Sequence, residues 1–165
     1  MHNKRLLLPV ALIVLAVVVA VAQRQSHPQI DDTLAFQRVD GALQQYADFR
    51  GKPLLLTFWS PSCVICMHEV KQLNALYQQG GGLDFELLGV SMAYDRPDHV
   101  LEARTRTAMA YPVYLDLYSH IAEAFGRVTT TPTSFLIDAD GQIVLRLDGK
   151  LDFRLITKSL NQLTA

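Results

Sequence analysis

Apolar residues follow three rhythms along this chain. The first is an unbroken run, Leu6 to Ala22, with no charge and no polar side chain. It follows Lys4 and Arg5, and the next charge is Arg24. Its length is at the short end for a helix spanning a bilayer, which takes about 20 apolar residues. Basic residues ahead of the run predict a cytoplasmic N-terminus and an exported body. Two outcomes fit: an uncleaved signal anchor, or a signal peptide cut after Ala20-Val21-Ala22, which has the small-x-small pattern. The run exceeds a usual signal-peptide core, so the anchor is the expectation. Residues 1–22 are thus a signal anchor or signal peptide, residues 23–33 a polar linker with one proline, and residues 34–165 a folded domain.

The second rhythm is that of strands. Pro53 to Trp59 and Phe85 to Val90 are continuous apolar runs, the signature of strands buried on both faces. Leu34–Val39 and Ala42–Gln45 flank Asp40-Gly41 and predict a small β-hairpin. Val113–Leu117 predicts a short strand. Thr133–Ile137 and Gln142–Leu147, joined through Asp138 to Gly141, predict a second hairpin. The third rhythm is helical: Ile65, Val70, Leu73, Leu76 and Tyr77 mark a helix over Cys63–Gln79. Further helices are predicted over Asp98–Ala110, with Pro97 in the first turn, over Ser119–Phe125 and over Phe153–Leu163. Gly80-Gly81-Gly82 reads as a helix-to-strand turn. Strand–helix alternation in the first part implies parallel strands with helices on both faces, and the late hairpin an antiparallel edge. The expected class is α/β with a mixed central sheet.

Charge adds an exclusion. Fifteen Lys and Arg balance 16 Asp and Glu, for a net charge of −1. A nucleic-acid binder carries a clear basic excess, so that class is set aside. Two cysteines cannot staple a small secreted domain, but they can form one redox pair.

That pair, Cys63 and Cys66, follows a buried strand and opens a helix. The first backbone N–H groups of a helix have no intrahelical partner, and the macrodipole is positive there. Both effects favour a thiolate at Cys63. Cys66 lies one turn further on the same face, where it can attack a mixed disulfide on Cys63. Glu69 continues the three-residue spacing. A carboxylate there can accept the proton that Cys66 loses, and the alternative is a solvated glutamate on the helix surface. Pro132 opens the strand Thr133–Ile137, which is compatible with a cis Thr131–Pro132 bond, although trans is the common state.

Other chemistries compete for the two sulfurs. A c-type haem site needs His after the second Cys, and position 67 is Met. Zinc needs two further ligands, and no His-x₃₋₅-His spacing occurs. A thiolate pair suits Cu(I), so a metal-delivery module using Cys63, Cys66 and His68 is one alternative. A thiol peroxidase is another, because Ser60 stands three residues before Cys63.

The block Gly51 to Cys66 with Glu69, and the block Thr131 to Asp138 with Asp140-Gly141, together resemble the TlpA/ResA group of membrane-anchored thioredoxin-like proteins. The likeness covers about residues 34–164. It implies a thioredoxin-like fold and a thiol–disulfide oxidoreductase without cofactor or metal. It implies that Cys63 is the exposed nucleophile, Cys66 the resolving thiol and Pro132 a cis-proline facing the pair. Thr131 would offer backbone hydrogen bonds to a peptide, Trp59 would pack beside the site, and Glu69 would match an active-site glutamate. The implied partners are exported proteins with disulfides or thiols, and a membrane electron donor. The implied location is the inner membrane with the domain in the periplasm or, after cleavage, the soluble periplasm. Four positions depart from the pattern. Thr57 stands where thioredoxin has a buried Asp, Ser62 replaces the usual tryptophan, and Val64-Ile65 lies between the cysteines. That apolar pair brings no positive charge and no histidine, which points to a reductant rather than an oxidant.

Overall fold

The structure, a computed structural model, describes residues 30–79 and 84–164. The expected anchor, most of the linker and the Gly80–Gly82 turn lie outside the described residues. Among the described residues, no helix is long and apolar enough to cross a membrane.

The described chain forms one seven-stranded sheet and four α-helices. In chain order these are β1 (Ala35–Arg38), β2 (Leu43–Gln45), β3 (Leu54–Trp59), α1 (Val64–Gln79), β4 (Glu86–Ser91), α2 (Pro97–Arg106), β5 (Val113–Leu115), α3 (His120–Ala124), β6 (Thr133–Ile137), β7 (Ile143–Asp148) and α4 (Phe153–Leu163). A 3₁₀ turn at Tyr46–Phe49, not anticipated from periodicity, follows the first hairpin. The order across the sheet is β2-β1-β5-β4-β3-β6-β7. Strands β3, β4 and β5 are parallel, and β6 runs antiparallel to β3. This is the mixed α/β, thioredoxin-like architecture expected.

β3 is central, and all six of its residues are buried. Side chains alternate across a strand, so its continuous apolar run divides between the two faces. Leu54, Leu56 and Phe58 pack with Phe36, Phe125 and Phe135 on one side, where α3 contributes Ile121 and Ala122. Leu55 and Trp59 pack on the other, against Val70 and Leu73 of α1, Val100 of α2 and Leu160 of α4. Each such side chain removed from water is worth roughly 1.5–3 kcal/mol before ordering costs.

α2 ends at Arg106, four residues short of the expected Ala110. Thr107 caps it, and Ala108 takes a left-handed φ of 51°, which stops the helical repeat. The early stop gives the chain room to turn back before β5.

Register fixes what meets at one end of the sheet. Trp59 pairs with Ser91, and Ser91 with Leu115, so three parallel strands finish side by side. The antiparallel β6 starts at that same end, where Phe58 pairs with Thr133, and Thr133 with Asp148. The segments 60–63, 92–96, 131–132 and 149–152 therefore leave the sheet together.

Candidate active site

The cysteine pair is made by the abrupt change from β3 to α1. After Trp59 the chain turns at Ser60, whose carbonyl accepts the Cys63 N–H at 3.0 Å. The spacing predicts a helix that starts at Cys63. Instead α1 begins at Val64 and Cys63 occupies the cap position itself. Its carbonyl accepts the Met67 N–H at 3.1 Å, and its sulfur accepts the Cys66 N–H at 3.1 Å. One of the unpaired amides of the helix start is thus aimed at Cys63 Sγ, and such an N–H favours negative charge on that atom.

Cys63 and Cys66 are joined as a disulfide, with their Cα atoms 5.2 Å apart. The sulfurs differ in access. Cys63 is half-buried, while Cys66 is 4% exposed within the core beneath α1. Between them Val64 and Ile65 stand out, 67% and 45% exposed, and give the rim of the pair an apolar surface.

Glu69 is not on the solvated face of α1. It is 3% exposed, and its Oε1 accepts the Leu151 N–H at 2.7 Å. Burial pushes its carboxyl above the ordinary range, while the Leu151 bond and the Lys150 charge oppose the shift. It lines a cavity of about 10 Å³ together with Thr57, Trp59, Cys66, Leu73, Met109, Tyr111 and Pro132. That is close to the space one water fills. The structure thus brings together Trp59, Cys66, Glu69 and Pro132, four of the residues singled out in the sequence.

Thr131 and Thr57 complete the picture. The Thr131–Pro132 peptide is cis. Pro132 is buried, its carbonyl accepts the Gly149 N–H at 2.8 Å, and Thr131 is half-buried beside it. At the Thr57 position, Oγ1 accepts the Ser134 hydroxyl at 2.9 Å, which satisfies a buried pair without any ionisable group.

Sequence reasoning passed over several neighbours. Tyr111 shares the cavity, and burial together with the Glu69 charge pushes its phenol far above the usual range. Gly89 lies beneath Trp59 and Tyr111: a Cβ there would sit 3.0 Å from Tyr111 Cε2 and 3.1 Å from Trp59 Nε1. Ser60, noticed earlier for its spacing to Cys63, donates its hydroxyl to Asp95 at 2.8 Å. These contacts span long sequence separations, and residue spacing carries no signal of them. Among the described residues, no group of three or more His, Cys, Asp and Glu side chains gathers as a metal site.

Comparison with known proteins agrees with this geometry. The Redoxin family model matches residues 24–152. The thiol-disulfide oxidoreductase ResA of Bacillus thuringiensis subsp. konkukian is 28% identical over 127 residues, covering 76% of this chain and 72% of that protein. Two solved structures share the fold. MTB dsbF, in mixed oxidised and reduced forms, superposes with a TM-score of 0.73 at 21% identity, covering 81% of this chain and 96% of that one. A secreted Mycobacterium tuberculosis disulfide oxidoreductase homologous to E. coli DsbE superposes with a TM-score of 0.70 at 17% identity, covering 79% and 96%. With a Cys-x-x-Cys pair at the start of a helix and a family match over most of its length, this chain belongs to the Redoxin family, as a thiol–disulfide oxidoreductase of the TlpA/ResA type.

Proposed function

We propose that this protein reduces disulfides of exported proteins, with Cys63 as the attacking thiol. The observation that carries the reading is the asymmetry of the pair: a reachable sulfur at the helix cap and a sealed one beside a buried carboxylate. The Cys63 thiolate attacks one sulfur of a client disulfide. The client S–S bond breaks, a Cys63–client disulfide forms, and the first client sulfur leaves as a thiolate that takes a proton from water. Cys66 then gives its proton to the Glu69 carboxylate and attacks Cys63 Sγ. The mixed disulfide breaks, Cys63–Cys66 closes, and the second client thiolate departs. Two electrons have moved from the dithiol to the client.

Glu69 suits the proton step because burial raises its affinity for a proton toward that needed to receive one from a thiol. Thr131, with Trp59 and Pro132 packed beneath it, would receive the client backbone next to Val64 and Ile65, whose exposed apolar side chains favour an unfolded or partly folded chain over a small thiol. A reducing direction is supported by Val64-Ile65, which adds no cation to stabilise the thiolate. Lys4-Arg5 ahead of Leu6–Ala22 supports a signal anchor, residues 23–33 a linker, and residues 34–165 a domain in the periplasm or another compartment outside the cytoplasm. A membrane dithiol donor would return the pair to its reduced state.

The test is turnover of insulin disulfides by the full chain in detergent with a chemical reductant. Cys63→Ser is expected to abolish turnover. Cys66→Ser is expected to stop after one attack and accumulate a mixed disulfide visible by mass spectrometry. Full turnover by Cys63→Ser would end the assignment.

A further inference from the structure

The loop that presents Cys63 is held by a carboxylate from a different part of the chain. Asp95 lies half-buried in the turn after β4, at the sheet end where β3 also finishes. Its Oδ1 accepts the Ser60 hydroxyl at 2.8 Å. Ser60 is itself 1% exposed, and Ser62, two residues on, is exposed beside Cys63.

The hydroxyl inventory sets the direction of this chain. A serine hydroxyl has one hydrogen to give and two lone pairs to accept with. The hydrogen of Ser60 goes to Asp95. Its oxygen then accepts the Ser62 N–H at 3.3 Å and, at 2.9 Å, the Ser62 hydroxyl. The Ser60 carbonyl meanwhile accepts the Cys63 N–H. While Asp95 is ionised, the Ser60 hydroxyl is committed to it, and the Ser62 hydrogen goes to the Ser60 oxygen.

Asp95 Oδ2 is buried with no hydrogen-bond partner among the described residues. A carboxylate kept in that state costs stability, and such groups gather at functional sites. Burial pushes the Asp95 carboxyl up, opposed by the Ser60 bond, the backbone and the charge of His99. The charged residues Arg96 and Asp98 nearby are exposed and pair with each other at 2.7 Å. From the loop between β3 and α1, Asp95 receives the Ser60 hydroxyl, and Ser60 in turn receives that of Ser62, the neighbour of Cys63 in the chain.

We propose that Asp95 is a positioning residue for the redox pair: through Ser60 and Ser62 it fixes the loop that presents Cys63, and its negative charge restrains Cys63 from ionising. The inference rests on the reading of Cys63 as the attacking thiol. A helix start alone lowers a thiol's pKa and makes its disulfide oxidising. A carboxylate beside the same loop opposes that effect and keeps the pair a reductant.

The test follows alkylation of the reduced full chain by iodoacetamide across pH, with the modified cysteine identified by mass spectrometry, alongside redox equilibrium with glutathione. Asp95→Asn keeps an acceptor for Ser60 and removes the charge. It is expected to raise the thiolate fraction of Cys63 below its midpoint about threefold, and to shift the glutathione equilibrium toward the dithiol by a similar factor. Ser60→Ala is expected to shift both in the same direction by less, because the freed carboxylate turns to water. The double variant should shift no further than Asp95→Asn, since both act through one chain of hydrogen bonds. A profile of Asp95→Asn superposing on the parent, or additive shifts in the double variant, would overturn the proposal. Should Asp95→Asn fail to fold, the Ser60→Ala shift decides by itself, and its absence sinks the idea. Alkylation reads the thiol and not the client, so the shift appearing in a protein that reduces no disulfide would refute the functional reading alone. First alkylation at Cys66 would refute the reading of Cys63.

Discussion

Glu69 sets stability against chemistry at the scale of one residue. Its carboxyl has a folded pKa raised by burial above its ordinary value. A group raised in this way supports the fold fully below the ordinary carboxyl pKa, and that support is lost as pH rises through the higher folded value. At neutral pH the buried charge is therefore a burden. Glu69→Gln keeps an oxygen for the Leu151 N–H and removes the charge. It is expected to stabilise the disulfide form by about 1 kcal/mol at pH 7. The gain should vanish below about pH 4, where both states of the parent carry a neutral carboxyl. Urea unfolding at the two pH values measures it. The same variant should slow release of the mixed disulfide, as no carboxylate remains to take the Cys66 proton. A gain equal at both pH values would mean that the charge has nothing to do with it.

At the scale of elements, two joints hold the site. One is the crossing of β4 beneath the Trp59 and Tyr111 rings. Gly89 is there for closeness and not for a left-handed φ: an added methyl would press on both rings at about 3 Å. Gly89→Ala is expected to cost about 1–3 kcal/mol and to shift the Trp59 fluorescence, because a packed ring cannot move without disturbing its neighbours. The other joint is the start of α4. Asp152 accepts the N–H groups of Arg154 and Leu155, one residue after Leu151 is held by Glu69. Asp152→Ala should cost about 1 kcal/mol, in the range of a lost helix cap, as read by thermal unfolding.

For the whole molecule, polarity of the sheet matters most. The redox pair sits where β3, β4 and β5 end. At the opposite end, where Leu54 pairs with Ile137, the start of the described chain is tied down. Arg50 pairs with Asp32 at 2.6 Å, lies over the Tyr46 ring at 4.9 Å and donates to the Asp140 carbonyl. Gly51 N–H reaches the Ala139 carbonyl at 2.9 Å. Residues 30–32 therefore join the domain at the end of the sheet remote from Cys63. Arg50→Ala is expected to lower stability by about 1 kcal/mol, since the ion pair is partly exposed and the cation–π contact modest. The alkylation rate of Cys63 should stay unchanged. A matching change in that rate would mean that the two ends of the sheet are coupled.

Local signals reached far in this chain. Alternation and apolar runs gave the sheet order its raw material, and α4 ran over the predicted Phe153–Leu163 because Asp152 caps it and Ile156 and Leu160 face the core. A Cys-x-x-Cys after a buried strand was enough to locate the redox pair, since its chemistry depends on a helix start, which is a local feature. Periodicity says nothing, however, about which remote segment covers a helix face. That is why Glu69 stood equally as a surface residue or a proton acceptor until Leu151 closed over it. The same holds for α2, shortened by the turn at Ala108, and for Cys63, which lies just ahead of the helix and not inside it. Sequence by itself determined the fold class, the strand and helix inventory and the two sulfurs, because these rest on contacts a few residues apart. Tertiary structure alone decided which carboxylate shares a cavity with Cys66, namely Glu69, and which one holds Ser60 of the cysteine loop, namely Asp95. Burial and long-range hydrogen bonds are properties of the packed sheet, and no stretch of chain carries them separately.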